Sequence, residues 1–215
     1  MSGLRDKALV NIQKVKVKLM HRFAVIACVC VLVTLAAACG SSPPPRYYTL
    51  SAGAARAGTS SNLSLAVGPV SVPADVDRPQ IVVSAGANQV TLDEFNQWAG
   101  PLQNNIARVV AENVGALLGT PRVALFSDTW SAQADYRVGI GVQRFESMPG
   151  EAAILDAVWT VRRTQDGKAD AGRTSVREAV KETGYDSLAA GHSRALLRLS
   201  QDIANAVRTL ERTGG

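Results

Sequence analysis

A cysteine placed directly after an apolar run divides this chain into a leader and a folding part. Cys39 follows the apolar residues 23–38, and small residues stand immediately before it. Several lysines and Arg22 precede the run, so the order is basic, apolar and small, as in a secretory signal peptide. A cysteine at the cleavage point is typical of a bacterial lipoprotein signal. We therefore predict that residues 1–38 are removed and that the folded domain lies on the carboxyl-terminal side of Cys39.

Acylation of Cys39 is the modification that this arrangement predicts. The thiol would carry diacylglycerol and the new amino terminus an N-acyl chain, and we expect no other cofactor. An uncleaved membrane anchor is the alternative, but the run of sixteen residues is shorter than the roughly 20 that span a bilayer. Cys28 also follows small and apolar residues, with too short an apolar run before it. We expect translation to start at Met20, which gives a compact leader.

Charge and cysteine content argue against a nucleic-acid-binding protein and against a domain stabilised by disulfides. The whole chain has a net charge of +5, but the leader holds six of the 23 basic residues and one of the 18 acidic ones. The remainder is balanced, so it lacks the basic excess that phosphate backbones attract, and we expect no nucleic-acid partner. Cys28 and Cys30 leave with the leader, so no disulfide is expected in the mature domain. A buried core must stabilise it, for which about 170 residues suffice.

The residues after Cys39 form a tether in this interpretation. Residues 39–46 include two serines and three consecutive prolines, which favour an extended, semi-rigid spacer. Its reach is roughly 25 Å at about 3.5 Å per residue. Gly40 stands where an aspartate would signal retention in the inner membrane. The expected location is therefore the periplasmic face of the outer membrane.

Residues 47–212 are predicted to form a single globular α/β domain. Alternating apolar residues and turn-forming residues predict short strands, at residues 47–50, 63–67, 81–83, 89–92, 123–126, 136–142, 155–161 and 174–180. Apolar residues at helical spacing predict long helices over 101–118 and about 187–210. The expected architecture is a mixed β-sheet of about five or more strands with the two helices packed on it.

Local residue choices add four finer expectations. The small residues of 51–61 predict a mobile loop, and Gly68-Pro69 is expected to end the second strand. Gly139 and Gly141 give their strand one flat face, over which a helix could pack closely. Ser187 or Asp186 is expected to cap the last helix.

The mature chain offers few groups for catalysis or metal binding. Ser193 lies in a Gly-His-Ser-Arg-Ala segment that resembles a nucleophile elbow, but it falls within the last helix and no histidine follows it. We therefore expect His192 on the helix surface, no catalytic triad and no enzymatic activity. With one histidine and no unmodified cysteine left, no metal site is expected either.

Three residues are the candidates for contact with a partner. Arg78 could bind a partner, or form a salt bridge with Asp75 or Asp77 that fixes its loop. Trp98 leads into the first helix, as a packing wedge or as an exposed anchor. Trp130 lies among polar residues and is the best candidate for an exposed aromatic contact.

Several segments, taken in order, resemble one family. They are Tyr47-Tyr48-Thr49-Leu50 after the cysteine, Val67-Gly68-Pro69-Val70-Ser71-Val72-Pro73, Asp77-Arg78-Pro79-Gln80-Ile81-Val82 and Phe95-Asn96-Gln97-Trp98-Ala99-Gly100-Pro101-Leu102. Together they resemble the PqiC-type lipoproteins, the auxiliary lipoproteins of ABC-type intermembrane transport. Members often carry an aromatic residue near Ala74 and an acid near Gly100, and this chain departs from the family at both places.

The resemblance implies both a fold and a role. The fold would be like the amino-terminal domain of TolB, and a ring-like homo-oligomer is implied as well. The role would be that of an auxiliary component of lipid transport between membranes, working with an MCE-domain protein and its inner-membrane permease. Two alternatives stay open: a periplasmic lipid-binding carrier, whose domain would hold an apolar cavity, and an envelope hydrolase.

Overall fold

Eight strands form one sheet in the computed structural model, which describes residues 43–213 and the single positions 16, 18, 20 and 22. Their bounds, in chain order, are β1 (Arg46–Tyr48), β2 (Leu65–Ser71), β3 (Gln80–Gly86), β4 (Gln89–Trp98), β5 (Val123–Leu125), β6 (Tyr136–Met148), β7 (Ala152–Arg163) and β8 (Ala169–Ala179). Two long helices, α1 (Leu102–Leu118) and α2 (Tyr185–Arg212), and a short 3₁₀ helix, Ser131–Gln133, complete the domain.

The sheet is mixed and is organised around β6. Its strands follow the order β1-β4-β3-β6-β2-β5, and β7 pairs with the other side of β6, followed by β8. β6, β7 and β8 are antiparallel neighbours, whereas β1 runs parallel to β4, and β2 runs parallel to both β5 and β6. The expected fold class, a mixed sheet with two long helices, is confirmed.

The two helices cover one face of the sheet and leave the other face open. α1 packs against β2 and β5, and α2 packs against β7 and β8. Because side chains alternate along a strand, only every second residue faces these helices. In β6 and β7 the buried residues on this side include Val138, Ile140, Val142, Leu155, Ala157 and Val161. We call this side the covered face and the opposite side the open face.

The expectation that a helix packs over Gly139 and Gly141 is wrong, because both glycines lie on the open face. Gly139 and Gly141 alternate with the buried Val138 and Ile140, so they face away from both helices. A Cβ added at Gly139 would meet no atom within 4 Å, and Val158 beside Gly141 is 42% exposed. The flat surface made by the glycines is therefore not a seat for a helix. Alternation alone did not indicate which face of the strand the helices would choose.

The second strand also differs from its prediction. β2 does not end at Gly68-Pro69 but continues to Ser71, with a shift of its register against β6 between Val67 and Val70. Gly68 has a φ of 116°, and a Cβ there would stand 2.9 Å from the Cβ of Phe126. The dipeptide thus forms an irregularity within the strand, which glycine makes possible.

Residues 51–61, expected to be a mobile loop, are instead fastened to both helices. The amides of Gly53 and Ala54 donate to Oδ1 of Asn113 at 3.0 Å, and the amide of Ser51 donates to Oγ of Ser193 at 3.1 Å. Backbone bonds from Ala57 and Ser61 reach the carbonyls of Ala116 and Gly119. We call this segment the strap. Its small side chains let its backbone lie close to the helices.

The second helix starts earlier than expected. It begins at Tyr185 with Gly184 as its N-cap residue, and no side chain caps it. The hydroxyl of Ser187 donates to the carboxylate of Glu182 instead, and Asp186 lies within the first turn. Within residues 43–213, no helix combines the length and the apolar character needed to cross a bilayer.

Candidate functional site

A groove between the turn before β3 and the start of α1 brings together two of the three predicted partner residues. Arg78 and Trp98 both line it, and its volume is about 320 Å³. Its walls are otherwise mainly apolar or backbone, and consist of Pro79, Ala99, Gly100, Pro101 and Leu102 with Asp77 at one side. We call it the Arg78–Trp98 groove.

Backbone hydrogen bonds fix the two sides of this groove relative to each other. The amide of Trp98 donates to the carbonyl of Pro79 at 2.7 Å, which joins the end of β4 to the start of β3. The amide of Ala99 donates to the carbonyl of Tyr48 at 2.8 Å, so β1 holds the same end of β4. The groove is therefore part of the sheet and its shape is set by the fold.

Trp98 is mostly a core residue, with an edge on the groove. It is 5% exposed, and its ring meets Phe145 edge to face at a centroid distance of 6.2 Å. Phe145 in turn stacks on His192 at 3.8 Å with an interplanar angle of 9°. This aromatic column runs from the groove to the interior, so the position of Trp98 is coupled to the packing of α2.

Arg78 provides an unpaired cation at the mouth of the groove. Its side chain is exposed, and among the described residues its guanidinium has neither a salt bridge nor a hydrogen bond. The salt bridge with Asp75 or Asp77 is therefore not formed. α1 starts at the same place, with Pro101 as N-cap, no capping side chain and no acidic residue in its first turn. The positive end of that helix dipole adds to the charge of Arg78.

Trp130 lies elsewhere, in the loop between β5 and β6. It is 43% exposed, and Phe126 in the same loop is 54% exposed. Asp128 fixes the loop by accepting from the amide of Leu125 at 2.7 Å, and Ser131 donates to the carbonyl of Phe126 at 2.9 Å. The groove lies at the start of α1, whereas β5 follows the end of that helix. With 17 residues, α1 is about 25 Å long. Cys39, the predicted acylation site, lies outside the described residues.

β4 carries a second organised feature next to the groove. Asp93 accepts from the amide of Phe95 and from Nδ2 of Asn96, both at 2.8 Å, and from the hydroxyl of Tyr185 at 3.1 Å. The bond from the Phe95 amide is the main cause that lowers the pKa of Asp93. Burial, followed by the hydrogen bond to Asp93, raises the pKa of Tyr185 to about 12. Asp93 thus holds a bulge in β4 against the start of α2.

The expectation that His192 lies on the helix surface is wrong. Its side chain is fully buried, its Nε2 is 2.9 Å from Oγ of Ser147, and its Nδ1 has no hydrogen-bond partner in the part of the chain that the structure describes. Burial lowers the pKa of His192 to about 3, so the imidazole is neutral. The burial of His192 could not be predicted, because the spacing of the apolar residues does not show how wide the buried side of α2 is. The only hint was that neighbours of His192 at helical spacing, Leu188, Leu196 and Leu199, are apolar.

The pairing of Ser147 with His192 does not form a catalytic triad. Ser147 is 2% exposed, and no carboxylate of the described domain accepts from the other ring nitrogen of His192. Ser193 is also not a free nucleophile, because its hydroxyl donates to the carbonyl of Ala189 at 2.7 Å. No group of three or more metal-ligating side chains occurs among the residues described here.

Two solved structures show that the whole fold recurs in other proteins. One, an uncharacterised protein, is 19% identical, with a TM-score of 0.63 over 77% of this chain and 99% of its own. The other, a protein of the DUF330 family from Xanthomonas campestris, is 18% identical, with a TM-score of 0.64 over 79% of this chain and 99% of its own. These likenesses define the class of fold. A search of curated proteins gives no match.

The family follows from a direct match of the sequence. Residues 48–204, which include the groove, β4 and most of both faces of the sheet, match the family described as ABC-type transport auxiliary lipoprotein component. The chain belongs to this family, as the resemblance to PqiC-type lipoproteins implied. It is therefore an auxiliary component of ABC-type transport, in a family not known for enzymes.

Proposed function

We propose that this chain is an outer-membrane lipoprotein that docks an MCE-domain protein at the periplasmic face during intermembrane lipid transport. The observation that carries the proposal is the family match over residues 48–204 together with the fixed groove that it contains. In this proposal Cys39 carries the acyl chains, and the MCE-domain protein works with an inner-membrane permease. The protein itself performs no catalysis.

The anchor and the groove would have different roles. Each buried methylene contributes about 0.8 kcal/mol to membrane attachment, and two acyl chains already give stable anchoring. Anchoring confines the domain to the membrane surface and so raises its effective concentration near a partner that ends there. The Arg78–Trp98 groove would then bind a segment with an apolar side chain and an acidic group, for the walls and for Arg78 respectively.

The two other functions lack the observation that each requires. A lipid carrier needs a closed apolar cavity, whereas the Arg78–Trp98 groove and three further grooves of the described residues are open to solvent. A hydrolase needs a reachable nucleophile with its base, whereas the Ser147–His192 pair is buried and has no carboxylate partner within residues 43–213.

The docking role is tested by reversing the charge of Arg78. The full lipidated protein with Arg78→Glu should retain less than about a tenth of the MCE-domain protein that the unchanged protein retains in co-purification. Arg198→Glu is the matched control, because Arg198 is an exposed arginine on α2 and the change in net charge is the same. Equal retention by both variants would remove the groove from the proposal.

The anchor is tested separately at Cys39. Cys39→Ser should abolish incorporation of labelled palmitate and release the domain from the membrane fraction. Retention of the label by the serine variant would contradict acylation at this residue. Because Arg78 and Cys39 are tested by different measurements, docking and anchoring can fail independently.

A further inference from the structure

Exposed apolar side chains are concentrated at one edge of the sheet. Of the large hydrophobic residues exposed in the described domain, four lie on β1 and β4: Tyr47 at 63%, Val90 at 54%, Leu92 at 40% and Phe95 at 39%. We call these four residues the tether edge. Their exposure is unusual, since large exposed apolar groups that lie together mark a contact surface.

The bulge in β4 places these four side chains on the same side of the sheet. Val82 pairs with Leu92, whereas Gln80 pairs with Gln97, so three extra residues of β4 are accommodated between the two pairs. An odd number of extra residues reverses the alternation of side chains. As a result Phe95, like Val90 and Leu92, lies on the open face. The register of β1 places Tyr47 opposite Gln97, next to Phe95 on that face.

The tether leads directly to this edge. β1 begins at Arg46, and its parallel pairing with β4 covers only residues 96–98 of that strand. The rest of β4 toward Gln89 has no partner strand on that side among the described residues. Arg46 stands seven positions after Cys39, and Asn96, the partner of Arg46, stands seven positions after Gln89. An extended tether of about 25 Å can therefore place its lipid beside any part of the tether edge.

From these observations we infer that the tether edge rests on the bilayer surface and holds the lipidated domain in one orientation. The inference depends on acylation of Cys39, as in the proposed function. A domain of about 170 residues has a radius of gyration of roughly 15 Å, so its diameter of about 40 Å exceeds the length of the tether. The edge that carries the tether therefore stays within about 25 Å of the membrane, and the domain cannot invert to bring the opposite edge onto it.

The chemistry of the edge favours the lipid interface over an anionic surface. Tyr47 has a polar end and an apolar body, which suits the headgroup region, and the other three side chains are apolar. Arg46 and Glu94 are both exposed nearby and have opposite charges. Contact through apolar and aromatic groups would therefore change little with salt, unlike the binding of a basic patch.

The test uses the full lipidated protein with single introduced cysteines. Acylation blocks Cys39, so Tyr47→Cys or Phe95→Cys offers the one thiol for an environment-sensitive fluorophore. Val158→Cys is the matched control, since Val158 is 42% exposed on the open face but lies on β7. Three strands, β4, β3 and β6, lie between β1 and β7. The vesicles contain phosphatidylethanolamine and phosphatidylglycerol, with a spin-labelled phosphatidylcholine as quencher.

We expect the lipid quencher to reduce the emission at positions 47 and 95 at least two-fold more than at position 158. Iodide in the aqueous phase should give the opposite order, and 0.5 M salt should leave the difference unchanged. Equal quenching at positions 95 and 158 would overturn the inference. So would a difference that disappears in high salt.

A fourth sample separates this inference from the proposed function. The protein without an introduced cysteine should take up no fluorophore, because its only mature thiol is acylated. Labelling of that sample would mean that Cys39 is free, and the anchor itself would be refuted before any quenching is measured. If the sample stays unlabelled and the quenching pattern fails, only the orientation is refuted.

Discussion

The covered and open faces of the sheet use polar residues in different ways. On the covered face, polar side chains pair in the interior: Ser147 with His192, and Nε1 of Trp159 donating to Thr174 at 3.0 Å. On the open face, opposite charges pair in contact with water, as in Arg144 with Glu146 and Arg177 with Glu151. A buried polar pair specifies the position of α2 on the sheet, whereas an exposed ion pair contributes little to the free energy of folding. Stability therefore depends mainly on the covered face, and the open face remains available for contacts.

The largest expected contrast comes from removing apolar volume on each face of β7. Leu155→Ala should lower the free energy of unfolding by about 2–5 kcal/mol, because Leu155 is fully buried and a cavity would remain. Val158→Ala, on the open face, should change it by less than about 0.5 kcal/mol. Chemical denaturation of both variants measures the difference. Similar losses would show that the open face is covered in solution.

Glycines on opposite faces provide a second contrast. A Cβ at Gly172 would overlap Cζ2 of Trp159, so Gly172→Ala should lower the free energy of unfolding by about 1–3 kcal/mol through displacement of that ring. Gly139→Ala meets no atom within 4 Å and should be neutral or slightly stabilising. Thermal unfolding compares the two. A neutral Gly172→Ala would mean that Trp159 is not held under α2.

The buried imidazole makes stability depend on pH in a defined window. The pKa of His192 is lowered to about 3 in the folded protein, against about 6.5 when unfolded, so only the unfolded state takes up this proton between these values. Stability should be constant above about pH 6.5 and fall below it, by about 2 kcal/mol from pH 7 to pH 5. His192→Gln should remove this slope. Carboxylates such as Asp93, whose pKa is lowered, contribute only at lower pH.

The smallest expected effect is at the exposed ion pair of the open face. Glu146→Gln should change the free energy of unfolding by less than about 1 kcal/mol, because both side chains are in contact with water. The change should shrink further in 0.5 M salt. A larger, salt-independent loss in denaturant titrations would place this pair in a dry environment and weaken the contrast between the faces.

Much of this fold could be predicted because its signals are local. The apolar stripe of α1 and its terminal Gly119 gave its bounds, and alternation gave the centres of β6 and β7. The strap could not be predicted, since its hydrogen bonds reach residues about 60 positions away, such as Asn113. The choice of the covered face is also a long-range outcome. Only the position of the helices on the sheet shows that Val138, and not Gly139, faces them.

The sequence indicated the candidate residues one by one, and it did not indicate which of them would lie together. Arg78 and Trp98 were chosen separately, and the pairing of β3 with β4 brings them to one groove. Trp130 was correctly expected to be exposed, but it lies in a different loop. The tether edge could not be predicted, because the bulge in β4 determines that its residues lie on the same face. Strict alternation is already broken between Leu92 and Phe95, and only the register of β4 against β3 shows that both residues lie on one face.

The strap and the short β1 also determine how the domain would respond to a mechanical pull on its amino terminus. A load on residues 43–45 first meets the three-residue pairing of β1 with β4, in the direction along the strands. If those bonds yield, the load passes to the strap, whose amides are fastened to Asn113 and Ser193 on the two helices. The core strands β6, β7 and β8 lie outside this line of force, so the interior would be the last part to open.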